Sequence, residues 1–185
     1  MYGVSYKFFW TIRAIIYKII GLDINFPSYI GKPIFLVGIK NIKIGSKFRI
    51  FPGARIEIKK KANLVIEDDV SIAQNLHLTC GKKIVIKKGA CIAPNVCITD
   101  TIHNYKNIKK NILKQKDKYK VTIIKENVFI GFGAIIDAGS IIGKNSVIGS
   151  NVYVKGIVPD HSVVQSSKNK IIKKYNTIQK KWINN

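Results

Sequence analysis

Residues 124–154 read IKENVFIGFGAIIDAGSIIGKNSVIGSNVYV, with an aliphatic residue at every sixth position: Ile124, Ile130, Ile136, Ile142, Ile148 and Val154. The same spacing runs earlier through Ile44, Ile50 and Ile56, through Ile66, Ile72, Leu78 and Ile84, and through Ile86, Ile92 and Ile98. Four positions after many of these anchors stands a compact residue, as at Ala54, Val70, Ala90, Val96, Ala134 and Ser140. One position after, Gly or another small or acidic residue recurs, as at Gly45, Ala93, Gly131, Asp137, Gly143 and Gly149. An α-helix of 3.6 residues per turn cannot hold every sixth residue on one face. Simple strand alternation leaves the recurring small residues without a reason. A triangular solenoid accounts for both, because each hexad supplies one short strand and one corner, and three hexads close a coil of about 18 residues. Stacked coils hydrogen-bond one another's backbones, which confines open strand edges to the two ends.

Working outward, the period breaks at 99–121, TDTIHNYKNIKKNILKQKDKYKV, a lysine-rich segment that reads as a loop thrown out from a corner. Long loops in compact domains are commonly functional. Residues 1–22 read as a helix with Phe9, Trp10, Ile16, Tyr17 and Ile20 on its apolar side. Two readings of that helix stay open: it packs across the open first coil, or it lies on a membrane as basic amphipathic helices do. At the other end, Ile171, Ile172, Tyr175, Ile178 and Trp182 show helical spacing, so a C-terminal helical cap is expected. The expected organisation is therefore all-β: an N-terminal helix and entry segment over 1–32, a parallel β-helix over 33–165 carrying the loop, and a helical cap over 166–185.

The 185-residue chain holds 32 Lys and Arg against 10 acidic residues, a net charge of +22. That balance suits polyanionic partners, and it equally suits lysines on solvated strand edges and turns. No nucleic-acid motif with interleaved aromatics accompanies it, so nucleic acid is not an expected partner. Cys80, Cys91 and Cys97 have no metal-type spacing, and their odd number without a secretory signal fits reduced thiols in a cytoplasm. Cys91 and Cys97 occupy equivalent places beside Ile92 and Ile98 and read as packing residues. The apolar N-terminal stretch carries Lys7, Arg13 and Lys18, and is expected neither to be cleaved as a signal nor to span a bilayer. The three histidines, His77, His103 and His161, form no metal-ligand cluster, so no metal is expected.

INFPSYI ahead of the coils, IAPNVCITDTIHNY at the loop, the ENVFIGFGAIIDAG repeats after it and the tail KKYNTIQKKW together resemble the hexapeptide-repeat acyltransferases. More closely, the chain is similar to the sugar O-acetyltransferases of bacterial O-antigen and capsule assembly. The resemblance covers roughly residues 24–182 and implies a left-handed β-helix, acetyl-CoA as co-substrate, and a homotrimer with active sites between subunits. It further implies His103 as the catalytic base, holding the family's position just after the last hexad before the loop. An acceptor hydroxyl is a poor nucleophile until its proton is removed, and imidazole suits that task near neutral pH. Asp100 matches the family's acidic residue, as a group that orients the base or binds acceptor or as a plain turn residue. Thr101 stands where relatives often carry a second His. Asn75 and His77 match acceptor-facing positions, while His161 reads as a surface residue.

For acetyl-CoA the resemblance implies Phe132, Ser150 and Lys155 near the pantetheine, Phe129 as an aromatic wall, and Lys170 and Lys173 at the nucleotide phosphates. The family's Gly- and Pro-containing turn is replaced here by QSSKNK at 165–170. The expected activity is O-acetylation of a sugar hydroxyl in surface polysaccharide (lipopolysaccharide, capsule) biosynthesis, in the cytoplasm and with a peripheral place on the inner membrane face left open. Two alternatives stand beside it. One is N-acetylation of a nucleotide-linked amino sugar, against which no room for an extra N-terminal nucleotide-binding domain is expected. The other is a non-catalytic basic scaffold binding anionic membrane or nucleic acid, which would lose affinity steeply with salt.

Overall fold

The computed structural model describes residues 4–165 and 171–184. Strands of two to four residues stack in parallel into three sheets that form the faces of a triangular prism. The first face runs Asp23–Ile24, Ile42–Ile44, Asn63–Ile66, Lys83–Ile86, Thr122–Ile124, Ile141–Ile142 and Ile157–Val158. The second runs from Tyr29–Ile30 to Ser162–Val164, and the third from Phe35–Val37 to Tyr153–Val154. This is the expected three-sided parallel β-helix, and it accords with the left-handed class that the resemblance implies.

Strand register stacks the hexad anchors directly. Ile44, Ile66, Ile86, Ile124, Ile142 and Val158 pair in succession on the first face. Ile50, Ile72, Ile92, Ile130, Ile148 and Val164 do so on the second. On the third, Ile56, Leu78, Ile98, Ile136 and Val154 line up likewise. All of these side chains are buried, and each contributes about 1.5–3 kcal/mol of hydrophobic stabilisation.

The corners are turned by a position that the hexad reading passed over. The third residue after the anchor takes the left-handed conformation, at Asn75, Asn95, Asn127, Asn145 and Asn151 with φ of 60°, 60°, 55°, 53° and 56°. Asn tolerates this region better than other residues with a Cβ. The compact residues one place on are buried inside the corner. Glycine after the anchor answers a different need. At Gly131 a Cβ would stand 2.7 Å from the backbone carbon of Gly149 in the next coil, so the close stacking itself excludes a side chain.

Two expectations about the ends are corrected. The β-helix begins at Asp23 rather than 33, because Asp23–Ile24 and Tyr29–Ile30 already pair with the following coil. The C-terminal segment is not a helix but an antiparallel hairpin, Ile171–Asn176 and Lys181–Asn184, continuing the second face from Ser162–Val164. The last coil leaves a row of unpaired backbone groups that a strand satisfies and a helix does not. Asn176 makes the turn, its Oδ1 accepting from the backbone N–H groups of Ile178 and Gln179. Tyr175 and Trp182 then meet across the strands edge to face at 5.4 Å. At the other end, helix α1, Val4–Ile19, lies over the first coil with Ala14 fully buried and Tyr17 packed on the core.

Candidate active site

The loop after Thr99 leaves the corner between the third and first faces. At its base Thr101–Ile102 pairs antiparallel with Lys118–Tyr119, in the register Thr101 with Tyr119 and Ile102 with Lys118. Continuing that register brings the next residues, His103 and Asp117, opposite each other. Their side chains meet, with His103 Nδ1 2.9 Å from Asp117 Oδ1. The other carboxylate oxygen of Asp117 accepts from Lys59 Nζ at 2.8 Å, and Lys59 also donates to the Tyr119 hydroxyl at 3.0 Å. Tyr119 in turn packs against Gly81, where any Cβ would collide with its ring. A glycine, a tyrosine, a lysine and an aspartate thus lock a histidine whose own side chain is 70% exposed.

This chain of contacts sets the tautomer. The Lys59 hydrogen bond, outweighing the effect of burial, and the His103 hydrogen bond hold Asp117 below the usual carboxylate range. Its oxygens therefore only accept, and Nδ1 of His103 must carry the hydrogen between them. In the neutral ring the lone pair is then on Nε2, the nitrogen available to a substrate proton. Lys59 is pushed above its ordinary range by its hydrogen bonds to Asp117 and Tyr119, and so stays a cation.

Asp100 does something other than orient the base. It is fully buried, and its carboxylate accepts backbone N–H groups of Gly81, Lys82 and Lys83 at 2.6, 2.7 and 2.8 Å. The Thr101 hydroxyl, 3.1 Å away, completes the set. Asp100 pins the loop's point of departure to the coil beneath, and Thr101 serves it as a donor. The Cys80 thiol, 3.5 Å from Asp100, is pushed up to about 12 by burial and by that carboxylate. Burial and the charge of Asp137 raise Cys97 as well, so neither thiol is poised as a nucleophile.

The remaining candidates are spread around the prism. Asn75 is a left-handed corner residue whose amide donates to Asn95 Oδ1 at 3.0 Å. His77 faces outward on the third face between Arg55 and Cys97. His161 is a half-buried corner residue rather than a fully surface one. Phe129 is exposed on the second face, and Phe132 and Ser150 are exposed at the corner between the second and third faces. Lys155 pairs with Asp137 at 3.4 Å, and Tyr153 donates to the same oxygen at 2.6 Å. That hydrogen bond pushes the Tyr153 phenol up to about 12. Lys173 is exposed on the C-terminal hairpin, while Lys170 lies outside the described residues. Within one chain Phe129, Phe132 and Ser150 thus lie away from the corner that carries His103, while Lys155 stands on that same third-to-first corner two coils further on. Among the described residues no group of three or more His, Cys, Asp or Glu is placed to hold a metal ion.

Sequence reasoning missed Asp117, Lys59 and Tyr119. Asp117 is the sole acidic residue in the loop segment 101–121, the one signal that could have marked it.

Comparison with known proteins agrees with this architecture. The bacterial transferase hexapeptide (six repeats) family matches residues 122–156. WbbJ of Escherichia coli K12, a putative lipopolysaccharide biosynthesis O-acetyl transferase, is 27% identical over 168 residues, covering 86% of this chain and 82% of WbbJ. Among solved structures, a mutant of the N-acyltransferase AntD from Bacillus cereus, bound to dTDP-4-amino-4,6-dideoxyglucose and coenzyme A, superposes with a TM-score of 0.75. It is 21% identical, with 88% of each chain covered. A galactoside acetyltransferase in complex with coenzyme A gives a TM-score of 0.60 at 25% identity, covering 91% of this chain and 72% of that one.

Proposed function

For this hexapeptide-repeat β-solenoid, we propose an acetyl-CoA-dependent O-acetyltransferase that acts on a sugar hydroxyl in bacterial surface-polysaccharide assembly. The observation that carries the proposal is the His103–Asp117 pair at 2.9 Å, held by Lys59 at the base of the loop 99–121. The similarity to WbbJ supports the substrate class, and the coenzyme A complexes of similar folds support the co-substrate.

Nε2 of His103 takes the hydroxyl proton as the sugar oxygen attacks the thioester carbonyl. The resulting imidazolium is stabilised by Asp117. Collapse of the tetrahedral intermediate breaks the carbon–sulfur bond, and the departing CoA sulfur recovers the proton from Nε2. A backbone N–H stabilises the oxyanion. Asp117 acts through His103 and is a positioning residue, with Lys59 behind it.

Acetyl-CoA would contact Phe129, Phe132, Ser150 and Lys155, with Lys170 and Lys173 at its phosphates, and the acceptor would meet Asn75 and His77. The placement of Phe129, Phe132 and Ser150 away from the corner of His103 supports a homotrimer in which one copy's cofactor surface meets the next copy's base. The proposed location is the cytoplasm; none of the described helices is long and apolar enough to cross a membrane.

A second reading, N-acylation of a nucleotide-linked amino sugar, draws on AntD, whose structure holds such a sugar. The base favours the hydroxyl reading, since an alcohol needs proton removal to become nucleophilic, whereas a neutral amine attacks first and loses its proton afterwards. Thermal unfolding with acetyl-CoA tests the shared premise. Ligand at 100 times its Kd stabilises by about 2.7 kcal/mol, a rise of roughly 5–10 °C for a chain of this size. Absence of a shift refutes acetyl-CoA dependence. With binding established, transfer to hydroxyl sugars or to amino-sugar nucleotides separates the two readings.

A further inference from the structure

Helix α1 has its apolar residues on two sides. One side is spent on the fold: Ala14 is buried, Tyr17 packs on the core, and Trp10 meets Phe51 edge to face at 5.2 Å. The opposite side, which an ordinary surface helix fills with polar residues, carries Phe8, Ile12, Ile15 and Ile19, with Phe9 and Ile16 beside them. All six are exposed, Phe8 by 62% and Ile19 by 78%. At ~200 Å² for a fully exposed side chain of this size, they present roughly 600–700 Å² of apolar surface, above the ~300–600 Å² of the largest patch on a typical monomer.

The charges around this face are of one sign. The helix has no acidic residue, and its cations Lys7, Arg13 and Lys18 flank the apolar stripe. Their side chains reach back towards the first coil: Lys7 over the Tyr29 ring, Lys18 to the Ile24 carbonyl and Arg13 to the Ile30 carbonyl. Two copies meeting through this face would bring like charges together with no acid on either helix to pair them. An anionic lipid surface supplies the missing sign and demands no matching shape.

We propose that α1 is a docking element for an anionic bilayer, its outer face of Phe8, Ile12, Ile15 and Ile19 seated at the headgroup boundary. The inference rests on this face alone and is independent of the acetyl-transfer reading. Because α1 covers the first coil and the His103 loop leaves the fourth, three coil spacings of ~4.8 Å hold the base about 15 Å beyond the first coil.

The test is flotation of the full chain with vesicles of phosphatidylglycerol and phosphatidylcholine (about 3:7), and with phosphatidylcholine alone. The chain is expected to float with the anionic vesicles at least about 10-fold more than with the neutral ones. The Ile15→Ser/Ile19→Ser variant is expected to keep its melting temperature and to lose about 10-fold or more of that binding. Serine at these exposed positions leaves the contacts of Trp10, Ala14 and Tyr17 in place. No flotation, equal flotation on both vesicle types, or undiminished binding by the variant each overturns the proposal. Light scattering without lipid is the second measurement: a lower mass for the variant would assign the face to contacts between copies and overturn it as well.

Discussion

Asp117→Asn tests the site at its hinge, because the change keeps the shape of the side chain and alters only its hydrogen-bonding logic. Lys59 Nζ donates to one oxygen at 2.8 Å, and His103 Nδ1 lies 2.9 Å from the other. An amide has one acceptor and one donor end. Lys59 has only donors, so the amide oxygen turns to it and the NH2 faces Nδ1. Nδ1 must then accept, which moves the ring proton to Nε2 and removes the lone pair that the proposed mechanism needs for the substrate proton. The loss of charge adds a second cost. A full charge pair with its centres about 4 Å apart is worth about 1 kcal/mol in water and about 4 kcal/mol at an effective dielectric of 20. His103 is 70% exposed and Asp117 16%, so screening keeps the value near ~1–2 kcal/mol, roughly 5–30-fold in rate. With the misplaced tautomer, the expected fall in kcat is about 10²-fold, inside the ~10²–10⁴ range of general-base contributions.

The assay is release of free CoA thiol in the presence of a verified acceptor, with acetyl-CoA binding followed by thermal shift. KM for acetyl-CoA should stay within about 3-fold, since the carboxylate acts on the base and not on the cofactor. Lys59→Met should also lower kcat, by about 10-fold, because Asp117 keeps its charge and loses only its anchor. A kcat for Asp117→Asn within about 3-fold of wild type would refute the tautomer argument and leave the pair a surface contact.

Two predictions concern stability. Asp100→Asn replaces a buried carboxylate that accepts three backbone N–H groups, and should cost about 2–4 kcal/mol by chemical denaturation; an effect under about 0.5 kcal/mol would remove Asp100 from the loop's support. For pH, backbone and hydroxyl hydrogen bonds from Ser46 hold Asp68 below the usual range, as the Lys125 hydrogen bond does Asp160. At Asp137 burial pushes upward, but hydrogen bonds from Tyr153, the Ala138 backbone and Lys155 outweigh it. A carboxyl with a depressed folded pKa stabilises above its unfolded value of about 4 and loses that stability as pH falls through the folded one. Unfolding free energy should therefore show no loss from these groups between pH 5 and 7 and should decline below pH ~4; a decline already complete at pH ~5 would contradict the assignment.

The coils were legible because a solenoid repeats one decision. Each hexad states its anchor independently, and the register of Ile124, Ile142 and Val158 confirms what the spacing of their hexads says. The corner conformation was less legible: Asn127, Asn145 and Asn151 are visible as a recurring residue, but only the backbone shows that they, and not the compact residues after them, take positive φ. The C-terminal segment was misread for a physical reason. Ile171, Tyr175, Ile178 and Trp182 satisfy a helical period, and in so short a run that period competes with strand pairing. What decided it was a tertiary fact, the open edge at Ser162–Val164. His103 was singled out because the resemblance puts the family's base just after the last hexad before the loop. Asp117 was not, because its partnership depends on the antiparallel ribbon closing on itself, and the alternating lysines of KQKDKYK do not say which strand the segment pairs with.

The same contrast explains how the fold divides its work. Within the stack each inner strand is paired above and below, and the aliphatic ladders are so closely stacked that Gly131 has no space for a methyl group. A lattice of this kind is stiff but has little freedom to aim a side chain, since its outward positions lie on flat faces or tight corners. The loop supplies the aim, and its precision is borrowed from the lattice at three points. Asp100 fastens its start to the backbone of Gly81–Lys83. Thr122 Oγ1 fastens its return to the Thr99 carbonyl at 2.8 Å. Lys59, two coils below the loop, fixes Asp117 and with it the imidazole. An exposed histidine on a long lysine-rich loop would ordinarily sample many rotamers. Here the coil beneath dictates which nitrogen it offers, and changes at Lys59 or Gly81 should reach the chemistry although neither residue touches His103.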